Sequence, residues 1–406
     1  MVSNNRKGMS LKIDCFWSLA LTVFFAINMN YDWSKSSVAW YGSIFLVVFM
    51  YIFVYNGYFQ TTLTNFSIWF LSFIGLCVLS LAWSLSVSTG FDVIKSMIVM
   101  FVLLLFIQFS INYGYSINTL LKCYFIATLV NMVYVFTSID VDKLGDVQLG
   151  AFMLDGWNGN GIGFIMTQGV FIGVYLLGQY KDVFSKLIFL AGAIALSYLT
   201  ICTGSRTAFI MLVVGLVLYF WFNHPTKMVR NVIVTAIILY GAFYLAMQIE
   251  SFYNVLGSRL EGLFALFSGE GTVDGSANIR NVFIQNGQKW FVEEPLFGYG
   301  INNYKVLNRG ATGRFTYAHN TFIELAVDLG IMGLIWYYGV YIYLGKRFIS
   351  AIKESKLNTY LFAALIASAI SQYGSVTYYG FYQNFILMLC FYAVSGTKKE
   401  RNGVTK

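Results

Sequence analysis

The sequence predicts an all-α polytopic membrane protein of about twelve transmembrane helices. Three observations predict it. Hydrophobic residues make up 58% of the 406 positions and charged residues only 11%, far from the balance of a soluble domain. Runs such as Val38 to Tyr55 and Phe66 to Leu85 carry no charge and approach the roughly 20 residues that cross a hydrocarbon core. The basic residues, finally, sort by side of the membrane instead of scattering along the chain.

In chain order the apolar runs begin near Leu11, Val38, Phe66, Ile94, Ile117, Gly161, Leu187, Ala208, Val232, His319, Tyr360 and Phe381. The first follows Arg6 and Lys7 as a secretory signal would, but no small-residue cleavage site comes after it, so it reads as a retained helix. Lys122 interrupts the fifth run and the last is short, which leaves eleven or thirteen spans open. With a cytoplasmic N-terminus, the inside segments gather Arg6, Lys7, Lys12, Lys122, Lys181, Lys186, Lys227, Arg230, Lys346, Arg347, Lys353, Lys356 and the basic C-terminal tail, against only Asp14, Asp182, Glu354 and Glu400. That is the positive-inside pattern, and an even number of spans puts both termini in the cytoplasm. The net charge of +8 is accounted for in this way, so nucleic acid is not an expected partner; the lipid bilayer is.

Two connections are long, Ser138 to Asn158 and about 248–318, and both fall outside in this topology. The second lies between predicted helices 9 and 10 and is too long for a mere connector. Apolar and aromatic residues at mixed helical spacing from Ile279 to Phe291 predict short helices within this external loop. No internal repeat is visible, so residues 1–406 read as one transmembrane domain. Cys15, Cys77, Cys123, Cys202 and Cys390 all fall in or at the ends of spans without paired spacing and read as packing residues. Gly156 to Gly163, continued by Gly169 and Gly173, sets small residues four apart, a spacing that lets helices approach closely in lipid.

Catalytic chemistry has few candidates here. Of the two histidines, His224 lies in a basic, cytoplasmic loop, whereas His319 stands at the junction of the external loop and a hydrophobic helix. Asn320, Glu324 and Asp328 follow it at spacings of four and share one helix face. Carboxylates inside a span are costly and normally face a cavity or a partner. Arg206 sits between two spans joined by almost no loop, and Arg280, Arg259 and Arg314 are further cations of the external loop. Asp140-Val-Asp142 imitates the aspartate pair of nucleotide-sugar enzymes, but nucleotide sugars are cytoplasmic and this loop faces outside. No metal-ligating cluster and no phosphate-cradling glycine-lysine loop is present in the sequence, so neither metal nor cofactor is expected.

Four segments together resemble the O-antigen polymerase and ligase superfamily: Thr203-Gly-Ser-Arg-Thr-Ala-Phe209, Pro295-Leu-Phe-Gly-Tyr-Gly-Ile-Asn-Asn-Tyr304, Tyr317-Ala-His-Asn-Thr-Phe-Ile-Glu324 and Gly330-Ile-Met-Gly-Leu334. The resemblance runs from about Gly204 to Leu334; elsewhere only hydropathy agrees. It implies a glycosyltransferase of the GT-C type, in a bacterial inner membrane, with its active site on the periplasmic face. By the same resemblance the donor and acceptor are glycans on undecaprenyl diphosphate, a chain-length regulator is an optional partner, and Asn160 lines the cavity. Arg206 and Arg280 would then stabilise the departing diphosphate, and His319 would take the acceptor's proton, with Glu324 or Asp328 orienting the imidazole or supporting the cavity. Arg259, Arg314 and Asn320 complete the expected substrate-binding set. Direct displacement without metal would invert the anomeric centre. A repeat-unit polymerase is favoured; a ligase that moves polymer to lipid A core and a lipid-linked oligosaccharide flippase are the alternatives.

Overall fold

The computed structural model describes residues 5–57, 63–138, 159–203, 205–223 and 275–403, with the single positions 230, 233, 237, 244 and 248. Arg259, His224, the aspartates at 140 and 142, and most of the run beginning near Val232 therefore lie outside the described residues. The other eleven apolar runs are helices. In order these are α1 Asn5–Met29, the short α2 Tyr31–Lys35, α3 Ser37–Tyr55, α4 Asn65–Ser80 with a 3-10 turn Leu81–Trp83, α5 Val87–Asn112, α6 Ile117–Ser138, α7 Gly159–Leu177, α8 Val183–Cys202 and α9 Arg206–Asn223. After them come α10 Gly275–Glu293, α11 Tyr304–Thr312, α12 Thr321–Ala351, α13 Lys356–Ser371 and α14 Phe381–Gly403. Among the described residues no strand occurs, and eight helices are long and apolar enough to cross a membrane. Asp14–Met29, Lys356–Ser371 and Phe381–Ser395 are shorter apolar stretches. The protein is an all-α, multi-pass membrane protein.

Exposed apolar side chains fit that environment. On α3, Phe45, Phe49 and Phe53 are 50% to 70% exposed and stack ring on ring at spacings of four. Such a ladder would be an aggregation hazard in water; against acyl chains it costs nothing.

The chain divides into two compact units. The first comprises residues 1–62, 102–212 and 246–256. Its helices α6, α7 and α8 approach closely because glycine leaves room. A Cβ on Gly169 would lie 2.7 Å from Thr128 Cγ2 and 2.9 Å from Leu196 Cδ1, and one on Gly173 would lie 2.7 Å from Phe125 Cε2. Gly192 meets the same Phe125 ring from α8. The small-residue spacing read from the sequence is thus a three-helix contact.

The second unit comprises residues 63–101, 213–245 and 257–406. Its central feature is a break in α12 at Gly330, whose φ of 62° and ψ of −159° no helix contains. The backbone of 295–300 occupies the gap. Ile331 N–H donates to Pro295 O at 2.8 Å, Tyr299 N–H donates to Val327 O at 2.9 Å, and Leu85 N–H donates to Tyr299 O at 3.3 Å. Freed backbone groups inside a span must find partners within the protein, and here an inserted loop supplies them. Gly298 and Gly300, with φ of 63° and 91°, let that loop pass against Val327 O and Ser84 respectively.

Candidate active site

His319 ends the segment that leads into α12. Helix α10 brings its neighbours. Arg280, Phe283, Gly287 and Trp290 recur at spacings of three and four and so share one face of α10. At Gly287 a Cβ would stand only 2.2 Å from Ile323 Cγ2, so the glycine seats α10 directly on the first turn of α12. Phe283, Trp290, Tyr304, Ala318 and Val327 then close a common apolar core. Tyr304 pins it by donating its hydroxyl to Phe283 O at 2.8 Å and by meeting the Trp290 ring edge-on at 5.4 Å.

The imidazole of His319 lies between two rings, Tyr317 at 4.2 Å between centroids and Phe283 at 6.3 Å and nearly parallel. Its Nδ1 is buried and makes no hydrogen bond among the described residues. The backbone there has φ of 54°, a left-handed conformation that a non-glycine residue holds only when its surroundings enforce it. Glu324 holds the residue before His319, and Asp328 anchors a second stretch of main chain. Glu324, fully buried, accepts the Ala318 N–H at 2.6 Å. Asp328, one turn further and also fully buried, accepts the Asn302 and Tyr304 N–H groups at 2.8 and 2.7 Å and the Tyr378 hydroxyl at 3.2 Å. The acidic face seen in the sequence therefore holds two stretches of main chain, and Nδ1 is left to neither carboxylate.

Asn320 caps α12, its side chain accepting the Ile323 N–H at 3.1 Å. The turn between α13 and α14 completes the helix start: Thr321 N–H donates to Gln372 O at 2.8 Å, and Thr321 Oγ1 donates to Ser375 O at 2.8 Å. Arg314 is exposed, five residues before His319. Arg280 is half-buried and close enough to act electrostatically on the imidazole.

Burial first, and the Arg280 charge second, hold the His319 pKa down at about 4 from an ordinary 6.5. Both disfavour the imidazolium, so at neutral pH the ring is an unprotonated acceptor. Replacing Arg280 by glutamine removes the second cause and leaves the first. The His319 pKa should therefore rise while staying below 6.5, a change that imidazole NMR titration of a His224→Gln background would resolve. An unchanged titration would mean that the two groups do not sense one another.

The remaining expected residues belong to the first unit. Asn160 is in the first turn of α7 and accepts the Ser205 hydroxyl at 2.6 Å. Ser205 Oγ also accepts the Ala208 N–H at 3.2 Å, capping α9, whose first residue is the half-buried Arg206. A Cβ on Gly163 would lie 2.6 Å from Ala208 Cβ, so α7 and α9 touch beside this group. The structure thus assembles two groups, Asn160 with Ser205 and Arg206 in one unit, and His319 with Arg280, Glu324 and Asn320 in the other. Sequence reasoning passed over Ser205, Tyr317 and Phe283. The aromatic residue two positions before His319 was the one legible hint.

Residues 191–338 match the family model described as O-antigen ligase. This matched segment contains Arg206, Arg280 and His319 and supports the O-antigen polymerase and ligase superfamily suggested by the sequence motifs. Comparison with the curated proteins finds none that matches the chain.

Proposed function

We propose, from an O-antigen ligase family segment that carries His319 beside Arg280, that the protein is a repeat-unit polysaccharide polymerase. It transfers a growing glycan from undecaprenyl diphosphate to a sugar hydroxyl of the next lipid-linked unit, at the outer face of the inner membrane. The observation that carries the reading is the half-buried imidazole of His319 within electrostatic reach of the Arg280 guanidinium, both inside the matched segment.

The acceptor hydroxyl is a weak nucleophile. His319 takes its proton as the new glycosidic bond forms, while the anomeric C–O bond to the diphosphate breaks. Negative charge grows on the leaving diphosphate, and arginine meets it with paired, charge-assisted hydrogen bonds. Arg280 serves the His319 group in the second unit; within the first unit Arg206, with Asn160 and Ser205 beside it, is a further cation of the kind that binds phosphate. Attack from the face opposite the leaving group inverts the anomeric carbon. Arriving diphosphate charge offsets Arg280, so the His319 pKa climbs toward neutrality when proton acceptance is needed. Glu324 contributes by holding the Ala318 amide beside the base, and Asp328 by holding the 302–304 backbone.

The sidedness is supported by where the lysines sit. In the first unit Lys122, Lys181 and Lys186 lie at the helix ends opposite Arg206, with Lys122 Nζ 4.9 Å above the Tyr180 ring. In the second, Lys346, Arg347, Lys353 and Lys356 lie at the ends of α12 and α13 remote from His319. These clusters fall in short connections, where the positive-inside pattern is counted, and favour that end as cytoplasmic; Lys35, Lys305, Arg309 and Arg314 lie toward the other end, in α2 and the long segment before α12.

The test is to incubate the purified protein with the host's undecaprenyl diphosphate repeat unit alone and to separate the products on a gel. A ladder of lengths is expected. No ladder, followed by glycosylation once lipid A core is added, would overturn the polymerase in favour of a ligase.

A further inference from the structure

The end of the first unit that carries Asn160 and Arg206 also carries Asp32, Trp33 and Tyr134, which have no part in the chemistry above. Their placement follows from α6 and α7 running antiparallel. Thr128 faces Gly169, Phe125 faces Gly173, and the Tyr175 hydroxyl donates to Asn118 Oδ1 at 2.8 Å. Tyr134, near the end of α6, therefore stands at the level where α7 begins with Asn160. The chain reaches the same level as α1 ends: Asn131 Nδ2 donates to Ala26 O at 2.9 Å. There the fully buried Asn30 accepts the N–H groups of Asp32 and Trp33 at 3.1 Å each and fixes α2.

Within this group the Tyr134 hydroxyl donates to Asp32 Oδ2 at 2.9 Å, and the Trp33 and Tyr134 rings meet edge-on at 5.2 Å. All three side chains are partly exposed. A tryptophan at a helix end could simply anchor the protein among headgroups. The carboxylate fixed against it by the Tyr134 hydroxyl adds to the ring pair a hydrogen-bonding edge that a headgroup anchor does not require. Indole, carboxylate and phenol together suit a different surface. A pyranose ring has an apolar C–H face, which an indole covers, and an edge of hydroxyls, which a carboxylate accepts in pairs and a phenol can both donate to and accept from.

We infer that Asp32, Trp33 and Tyr134 form a carbohydrate subsite that holds one pyranose ring of the repeat unit away from the reacting bond. The subsite lies outside the matched segment 191–338, and the inference rests on the polymerase reading. It adds a place where the chain selects its own glycan.

The experiment uses the full chain in nanodiscs and, as probe, the carrier-free repeat-unit oligosaccharide released from the host polysaccharide, with binding measured by calorimetry and saturation-transfer NMR. Asp32→Asn and Trp33→Ala should each weaken binding by about tenfold, and Tyr134→Phe by a smaller factor. His319→Ala should bind the oligosaccharide as the parent does. That variant separates two failures: transfer activity surviving in it would sink the catalytic reading alone. Unchanged affinity in both Asp32→Asn and Trp33→Ala would overturn the subsite. So would a lowered unfolding midpoint with unaltered affinity, which would make the group a staple between α2 and α6. Absence of binding by the parent chain at millimolar oligosaccharide would overturn it as well.

Discussion

His319→Ala is expected to abolish detectable product, with a loss of about 10²–10⁴ in initial rate, the usual contribution of a positioned general base. The substitution removes the one imidazole among the described residues and leaves Arg280 in place. His319→Gln, which keeps a planar polar group between Tyr317 and Phe283, should be as inactive and should unfold at nearly the parent temperature. His224→Ala should behave as the parent. The pH dependence follows from the lowered pKa of about 4. A base with a depressed pKa is competent above that value and is lost as pH falls through it. For the free enzyme, kcat/KM should thus be flat through neutrality and fall only toward about pH 4. The acid limb of kcat should lie higher, because bound diphosphate offsets the Arg280 charge. Radiolabelled chain extension measured across pH would check both limbs. Full activity in a folded His319→Ala variant would end the role assigned to this residue.

Gly330→Ala should be strongly damaging for a single added methyl group. Its Cβ would fall 2.4 Å from the carbonyl carbon and oxygen of Leu296 and 2.7 Å from Phe297 N, all main-chain atoms that cannot rotate aside. The φ and ψ of the position are moreover accessible essentially to glycine only. Conformational strain and backbone displacement together should cost about 3 kcal/mol or more. The same substitution at Gly339, also in α12 but with nothing within 4 Å, should be neutral or slightly stabilising. Thermal unfolding in detergent, followed by size-exclusion fluorescence, would compare the two directly. Equal midpoints would show that the inserted loop does not depend on the break.

Hydropathy made most of this architecture legible, because a span must be apolar along its whole length and that requirement is written residue by residue. Boundaries were less legible. Helix α5 begins at Val87, seven residues before the apolar run near Ile94, since Asp92 and Lys95 are tolerated at its end. The glycines at 169 and 173 could be read as packing devices because their spacing alone carries the meaning. Other features depend on contacts distant in sequence. Nothing local says that Asp328 binds the amides of residues 302 and 304, that the loop from Pro295 enters α12, or that the backbone at His319 is left-handed. The acidic face of α12 was visible as a pattern, yet whether its partners are side chains or main chain is a tertiary fact. Similarly, α10 was expected as short surface helices and is one helix of 19 residues packed on α12 through Gly287.

The manner in which Glu324 and Asp328 grip the chain has a consequence for how this region can vary. Both read the presence of an amide hydrogen at 302, 304 and 318, and neither inspects the side chain attached to it. Side chains at these positions are therefore constrained by volume and by their own contacts, separately from the anchoring. Proline alone is barred at all three on account of the anchor itself, since it has no hydrogen to give. These segments are in this sense held by a grammar of backbone, while the vocabulary of their buried side chains is set by the core they pack in.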